Sequence, residues 1–211
     1  LNLGSSCMYP VNLSQPMKED KLFSGALEPT NEGYALAKVT VAKFAEFLNK
    51  EEELNYKTII PCNLYGDHDK FDSPDSHMIA SVISRMHEAK IDKESTFKLW
   101  GDRKTRREFM YIKDFVDFIY FAINRFNDLP IYLNVGLGYD YSIEEYYKSI
   151  SKVLDFNCEF VLDSSQPVGM RRKLVDTTNL EGLGWESRFS LNQGLEETYK
   201  YYLKLKSNEK I

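Results

Sequence analysis

Short apolar runs of strand length alternate with stretches of helical spacing along this chain, and that alternation narrows the available folds more than any other feature. Thr58-Ile59-Ile60 stops at Pro61, residues 96–100 alternate and stop at Gly101, residues 131–135 close on Gly136 and Gly138, and residues 159–162 form a further strand-like run. Helical spacing fills the gaps. Ala37, Val41, Ala45 and Leu48 predict a helix over 32–50, and Ile79, Ile83 and Met86 predict one over 76–90. A strongly apolar helix is expected over 114–126, capped by Asp114, and an amphipathic one over 191–205. Ser142 with Glu145 three residues on is a capping-box pattern. Asn63-Leu64-Tyr65-Gly66 reads as a loop. Strand and helix in alternation predict an α/β sandwich with a mostly parallel sheet, led by the doubly wound nucleotide-binding folds. Their G-x-G-x-x-G phosphate turn is absent; Gly136-x-Gly138 comes too late in the chain and reads as a turn.

Composition closes off other classes. The 211 residues are 43 % hydrophobic and 28 % charged, with a net charge of −5, which argues against a disordered chain and against a nucleic-acid-coating surface. Cys7, Cys62 and Cys158 are odd in number and widely spaced, so they suggest reduced thiols in a cytoplasmic protein rather than a disulfide framework or a metal site. No run approaches the ~18 apolar residues of a membrane helix.

The chemistry centres on Tyr34 and Lys38. Four residues apart on a helix, they share a face. An ammonium beside a phenol favours the phenolate, which suits a tyrosine that moves protons near neutral pH. Ser5, on the turn after the first strand, adds a hydroxyl for the same substrate oxygen.

Ser5, Tyr34 and Lys38, on a strand end and then a helix, resemble the triad of the extended short-chain dehydrogenase/reductases. The runs Leu3-Gly4-Ser5-Ser6-Cys7-Met8-Tyr9-Pro10 and Leu27-Glu28-Pro29-Thr30-Asn31-Glu32-Gly33-Tyr34-Ala35 carry the likeness further. So do Asn63-Leu64-Tyr65-Gly66, Ser76-His77, Trp100-Gly101, Arg107-Glu108-Phe109, Arg172-Lys173-Leu174 and Leu183-Gly184-Trp185. Together they resemble the GDP-L-fucose synthase family, the 3,5-epimerase/4-reductases of GDP-4-keto-6-deoxy-mannose.

The resemblance implies a doubly wound Rossmann-like sheet with a smaller α/β substrate lobe, NADPH as cofactor, a GDP-4-keto-6-deoxy sugar as substrate and a homodimer. It implies that Tyr34 protonates the alkoxide, Lys38 tunes it and holds the nicotinamide ribose, and Ser5 polarises the carbonyl. Cys7 and His77 match the acid/base pair of epimerisation. Asn63, Leu64 and His77 match positions at the cofactor. Arg85, Arg107 and Lys173 match positions that bind the diphosphate and sugar, and Trp100 lines their pocket. Residues 1–66 and 103–135 would form the dinucleotide-binding remainder, and residues 67–102 and 136–211 the sugar-nucleotide lobe. The Gly-rich turn and first strands would lie upstream of Leu1, so the isolated segment is expected to hold NADPH poorly. Residues 38–48 are the expected dimer face.

Four places depart from the family pattern: Asp102-Arg103 after Trp100-Gly101, Lys113-Asp114, Ala80-Ser81, and Pro167-Val168-Gly169. Two alternatives therefore stay open, a 4-reductase of a related GDP-4-keto-6-deoxy sugar without epimerisation, and a non-catalytic nucleotide-sugar-binding fragment.

Overall fold

In a computed structural model the described residues are 1–72, 76–163 and 170–208; Pro167-Val168-Gly169 lies outside them. The chain is α/β. A parallel sheet of order β1-β2-β7 is formed by Asn2–Leu3, Thr58–Pro61 and Tyr132–Val135. The β-branched and apolar residues Ile59, Ile60, Leu133 and Val135 fill both faces of it, as expected of strands covered on both sides. Helix α1 (Glu32–Glu51) packs against this sheet, and α3 (Ile112–Asn124) shares its core through Phe115 and Phe118.

A second group of strands extends past the sheet. Strand β3 (Asn63–Tyr65) pairs in parallel with β6 (Phe109–Tyr111), and β4 (Thr96–Trp100) pairs in parallel with β9 (Glu159–Asp163). Strand β5 (Arg106–Arg107) runs between β10 (Arg172–Lys173) and β8 (Tyr141–Ser142). Helices α2 (Met78–Ile91), α4 (Ile143–Val153) and α6 (Leu191–Asn208) bury Ile83, Met86, Leu99, Tyr146, Tyr147 and Tyr202 in a second core. The short α5 (Thr178–Gly182) and Trp185 return to the first core.

The capping box at Ser142 forms as the sequence predicts, with both reciprocal hydrogen bonds present. Three local expectations change. Asn63–Tyr65 is a strand, because β6 offers it a ladder that no local pattern announces. Asp114 does not cap α3; its carboxylate accepts the backbone N–H groups of Arg188 and Phe189 instead. On α1 the buried side is Ala35, Ala42 and Ala45, while Val41 is exposed. That helix is apolar on more than one side, so spacing alone does not identify the inner one.

Candidate active site

The turn after β1 is built by its own serine. Ser5 is extended (φ −161°, ψ 148°) and its hydroxyl accepts the Cys7 N–H at 3.2 Å, capping a 3-10 turn over Ser6–Met8. Gly4 is needed here by close approach: a Cβ would meet the Met8 sulfur at 2.9 Å and the Ile59 carbonyl at 3.2 Å. The turn directs Ser5 and Cys7 into a cleft of about 550 Å³. Tyr34, from the first turn of α1, lines it with Asn31, Asn63, Leu64 and His77.

Lys38 sits one turn beyond Tyr34. Its ammonium donates to the Leu3 carbonyl at 2.9 Å and lies 5.7 Å from the centroid of the tyrosine ring. Lys38 thus ties the helix to the strand end that presents Ser5. Asn63 spends its amide on the Glu108 carbonyl at 2.9 Å, which leaves it as a wall of the cleft.

The two candidate proton-transfer groups are perturbed. Burial pushes the Cys7 thiol up, but the Lys173 ammonium and hydrogen bonds with Ser5, Lys173 and Asn31 outweigh it, so the net shift is downward. Cys62, in the wall of the same cleft, goes the other way, because burial holds its thiol well above the ordinary range. His77 stands at the N-terminus of α2, with Nδ1 3.3 Å from an Asp69 carboxylate oxygen. That contact raises its pKa, against partial burial.

A second cavity, of about 330 Å³, begins at Asn63 and continues past Ser76, Trp100, Arg107, Thr105 and Tyr147. Asn63 is the wall shared by the two cavities. Trp100 and Arg107, both expected to bind the substrate, line this one cavity. Arg85 does not line it. Its guanidinium donates to the Lys98 carbonyl at 3.0 Å and lies over the Trp100 ring. Lys173 is placed elsewhere again, donating to the Cys7 sulfur at 3.1 Å.

Two further arginines beside this cavity are engaged in pairs within the fold. Arg103 reaches the Phe160 carbonyl and Glu144, and Arg106 binds Asp140. Three site features escaped the sequence reading. Asn31 donates to the Cys7 sulfur at 3.1 Å, Asp69 faces His77, and the buried Glu108 accepts the N–H groups of Leu137, Gly138 and Val175. Asn31 lies inside a motif already singled out, but a neutral side chain three residues before a tyrosine carries no chemical signal of its own. Among the described residues no group of His, Cys, Asp and Glu is placed to hold a metal ion, and no helix is long and apolar enough to cross a membrane.

Residues 1–136 match the NAD dependent epimerase/dehydratase family. The chain is 52 % identical over 210 residues to GDP-L-colitose synthase of Yersinia pseudotuberculosis, covering 99 % of this chain and 68 % of that protein. It is 44 % identical over 203 residues to GDP-L-fucose synthase of Azorhizobium caulinodans, covering 96 % and 65 %. It therefore spans about two thirds of the length of these curated relatives. Among solved structures it is similar to a GDP-mannoheptose C4 reductase from Campylobacter jejuni with NADP bound, with a TM-score of 0.83, 28 % identity, and coverage of 95 % of this chain and 68 % of that one. On the family match and these identities together, the chain belongs to the NAD dependent epimerase/dehydratase family.

Proposed function

We propose that this chain carries the catalytic cleft of an NADPH-dependent enzyme that epimerises a GDP-4-keto-6-deoxy sugar at C3 and C5 and reduces its C4 ketone, with GDP-4-keto-6-deoxy-mannose as substrate and GDP-L-fucose as product. The observation that carries this reading is that one cleft holds both sets of groups, Ser5 and Tyr34 for reduction and Cys7 and His77 for inversion.

The cofactor fits the residues present. Gly4, Tyr34, Asn63 and Leu64 line the same open cleft, and Lys38 stands behind the tyrosine. In this reading Tyr34, Lys38, Asn63, Leu64 and His77 hold the nicotinamide end. NADPH supplies hydride to C4 when bound. The chain's own residues do the rest. Ser5 donates to the carbonyl oxygen and Tyr34 delivers the proton that the C4 oxygen needs. The C4 ketone acidifies the neighbouring C–H bonds, so a base of modest strength suffices to form an enolate. Cys7 and His77 reach the cleft from separate elements, the turn after β1 and the start of α2, which suits removal and return of a proton on opposite faces. Trp100 and Arg107 line the adjoining cavity for the GDP portion, with Arg85 behind Trp100.

The test is full-length enzyme with GDP-4-keto-6-deoxy-mannose and NADPH in deuterated water. NADPH consumption with deuterium at C3 and C5 is expected. Absence of both sinks the reading. The 52 % identity to a GDP-L-colitose synthase favours a second product, GDP-L-colitose, and supplying the 4-keto precursor of each sugar in turn separates them. Retention of configuration at both carbons would instead leave a simple 4-reductase.

Two further features belong to the same proposal. We assign residues 1–66 with 103–135 to a dinucleotide-binding part and residues 67–102 with 136–211 to a sugar-nucleotide lobe; the two cores follow this division only in part, since Tyr65, Phe109 and Tyr111 pack with the second core and Val175, Leu180 and Trp185 with the first. The exposed Leu36, Phe44 and Phe47 of α1 support a homodimer packed through that helix, in a cytoplasm where all three cysteines stay free.

A further inference from the structure

Strand β10 sorts its two cations onto opposite faces. It runs parallel to β5 with Arg172 opposite Arg106 and Lys173 opposite Arg107. Side chains alternate across a strand, so each cross-strand pair shares a face. Arg106 and Arg172 both close on the buried Asp140, and Arg106 also meets Glu145 at 3.5 Å, so the cations of that face are paired with carboxylates. On the other face, Arg107 lines the outer cavity and Lys173 crosses to the turn after β1, 166 residues away in sequence, where its ammonium meets the Cys7 sulfur at 3.1 Å.

Asn31 approaches the same sulfur from the end of the loop before α1, its amide N–H also at 3.1 Å. Ser5 completes the surroundings, its hydroxyl accepting the Cys7 backbone N–H. Among the charged groups around the thiol, Lys173 exerts the largest influence; the titratable His77, Tyr34 and Cys62 line the same cleft. A neutral thiol is a weak acceptor and needs no such pair of donors, whereas a thiolate accepts both.

We propose that Lys173 and Asn31 are positioning residues that hold Cys7 in the cleft as its thiolate, so that Lys173 acts through the sulfur and not only on the nucleotide sugar. This rests on Cys7 being one of the two proton-transfer groups. In that role the thiolate takes a proton from the carbon beside the C4 ketone and becomes a thiol. The electron pair of the broken C–H bond passes into the enolate and onto O4. A proton returned to the opposite face of that carbon completes the inversion. The lysine changes neither its own bonds nor its proton in this sequence. It sets how much of Cys7 is in the reactive form at neutral pH.

The test reads the thiol directly. In full-length enzyme with Cys62→Ser and Cys158→Ser, the pH dependence of Cys7 alkylation by iodoacetamide gives the titration midpoint. Lys173→Gln is expected to raise it by about one pH unit or more, as loss of an opposite charge at this distance requires. Lys173→Arg should restore most of the shift. Asn31→Ala should raise it by less, and it serves as the second variant if Lys173→Gln does not fold. An unchanged midpoint in Lys173→Gln, or in Asn31→Ala where that is the variant that folds, overturns the proposal; with a raised KM for the GDP-sugar it would assign Lys173 to substrate alone. The reading of Cys7 as an epimerisation base fails separately, if the midpoint moves while the pH profile of deuterium incorporation does not.

Discussion

The guanidinium of Arg85 lies 3.5 Å from the centroid of the Trp100 indole ring. The same group is 4.9 Å from the Phe97 ring centroid and donates to the Lys98 carbonyl. Arg85 comes from α2 and Trp100 from the end of β4, so the stack fixes the edge of the outer cavity to the helix that follows His77. A planar guanidinium stacks on an aromatic face in a way an ammonium does not. Arg85→Lys should therefore keep the charge and lose the stack. A cation–π contact of about 1–2 kcal/mol predicts a KM for the GDP-sugar raised roughly five- to thirty-fold with kcat little changed, measured by steady-state NADPH oxidation. An unchanged KM would show that the stack does not shape the cavity.

Tyr34→Phe and Cys7→Ser should separate the two chemistries. In the proposed mechanism the phenol is the proton donor for C4, so its removal should lower NADPH oxidation by about 10²–10⁴-fold, the usual value of a general acid. Deuterium exchange at C3 and C5 should persist in Tyr34→Phe. Cys7→Ser should reverse the pattern, suppressing exchange more than reduction. Parallel loss of both activities in each variant would contradict the assignment.

His77 carries a pH prediction. Its contact with Asp69 raises its folded-state pKa above the unperturbed 6.5. The stabilisation of the imidazolium is therefore present below pH 6.5 and lost as pH rises through the raised value. The side chain is mostly exposed, so the effect on global stability is small. The readout is the imidazole titration by NMR, in which Asp69→Asn should move the His77 midpoint down toward 6.5. No movement would remove Asp69 from the site.

Glu108 carries another, with a larger effect on stability. It is fully buried, and burial pushes its pKa up to about 7 from 4.5, against hydrogen bonds from three backbone N–H groups. The folded state therefore holds the proton more tightly than the unfolded chain, so this contribution is present below pH 4.5 and is lost as pH rises through about 7. Glu108→Gln should flatten that part of the pH dependence of urea unfolding. It should also cost about 1–3 kcal/mol, because an amide N–H₂ would replace one of the two oxygens that the backbone donors need. Equal pH slopes for the two proteins between pH 4.5 and 7 would refute this.

The exposed apolar side of α1 predicts association. Phe44 is 61 % and Phe47 55 % exposed, on a helix whose opposite side is already buried against the sheet. Large exposed apolar residues grouped on one helix mark an interaction surface. Phe44→Glu with Phe47→Glu should yield a monomer by sedimentation, with the fold retained by circular dichroism. A wild-type monomer would rule the interface out.

Much of this protein was legible along the chain because it depends on neighbours in sequence. Helix spacing, the Ser142 capping box and the Tyr34–Lys38 pair are properties of a few consecutive turns, and the strand-helix alternation sets the fold class from them. What required the tertiary structure depends on residues far apart in sequence. The β3–β6 ladder makes a strand of an apparent loop. The packing of α1 selects Ala35, Ala42 and Ala45 as its inner side. The β5–β10 register sends Arg172 to Asp140 and Lys173 to Cys7, although the two cations are adjacent in the chain and chemically alike. A sequence names the groups that can carry charge and protons; only the fold places a cation beside a sulfur, and that proximity draws the thiol pKa down.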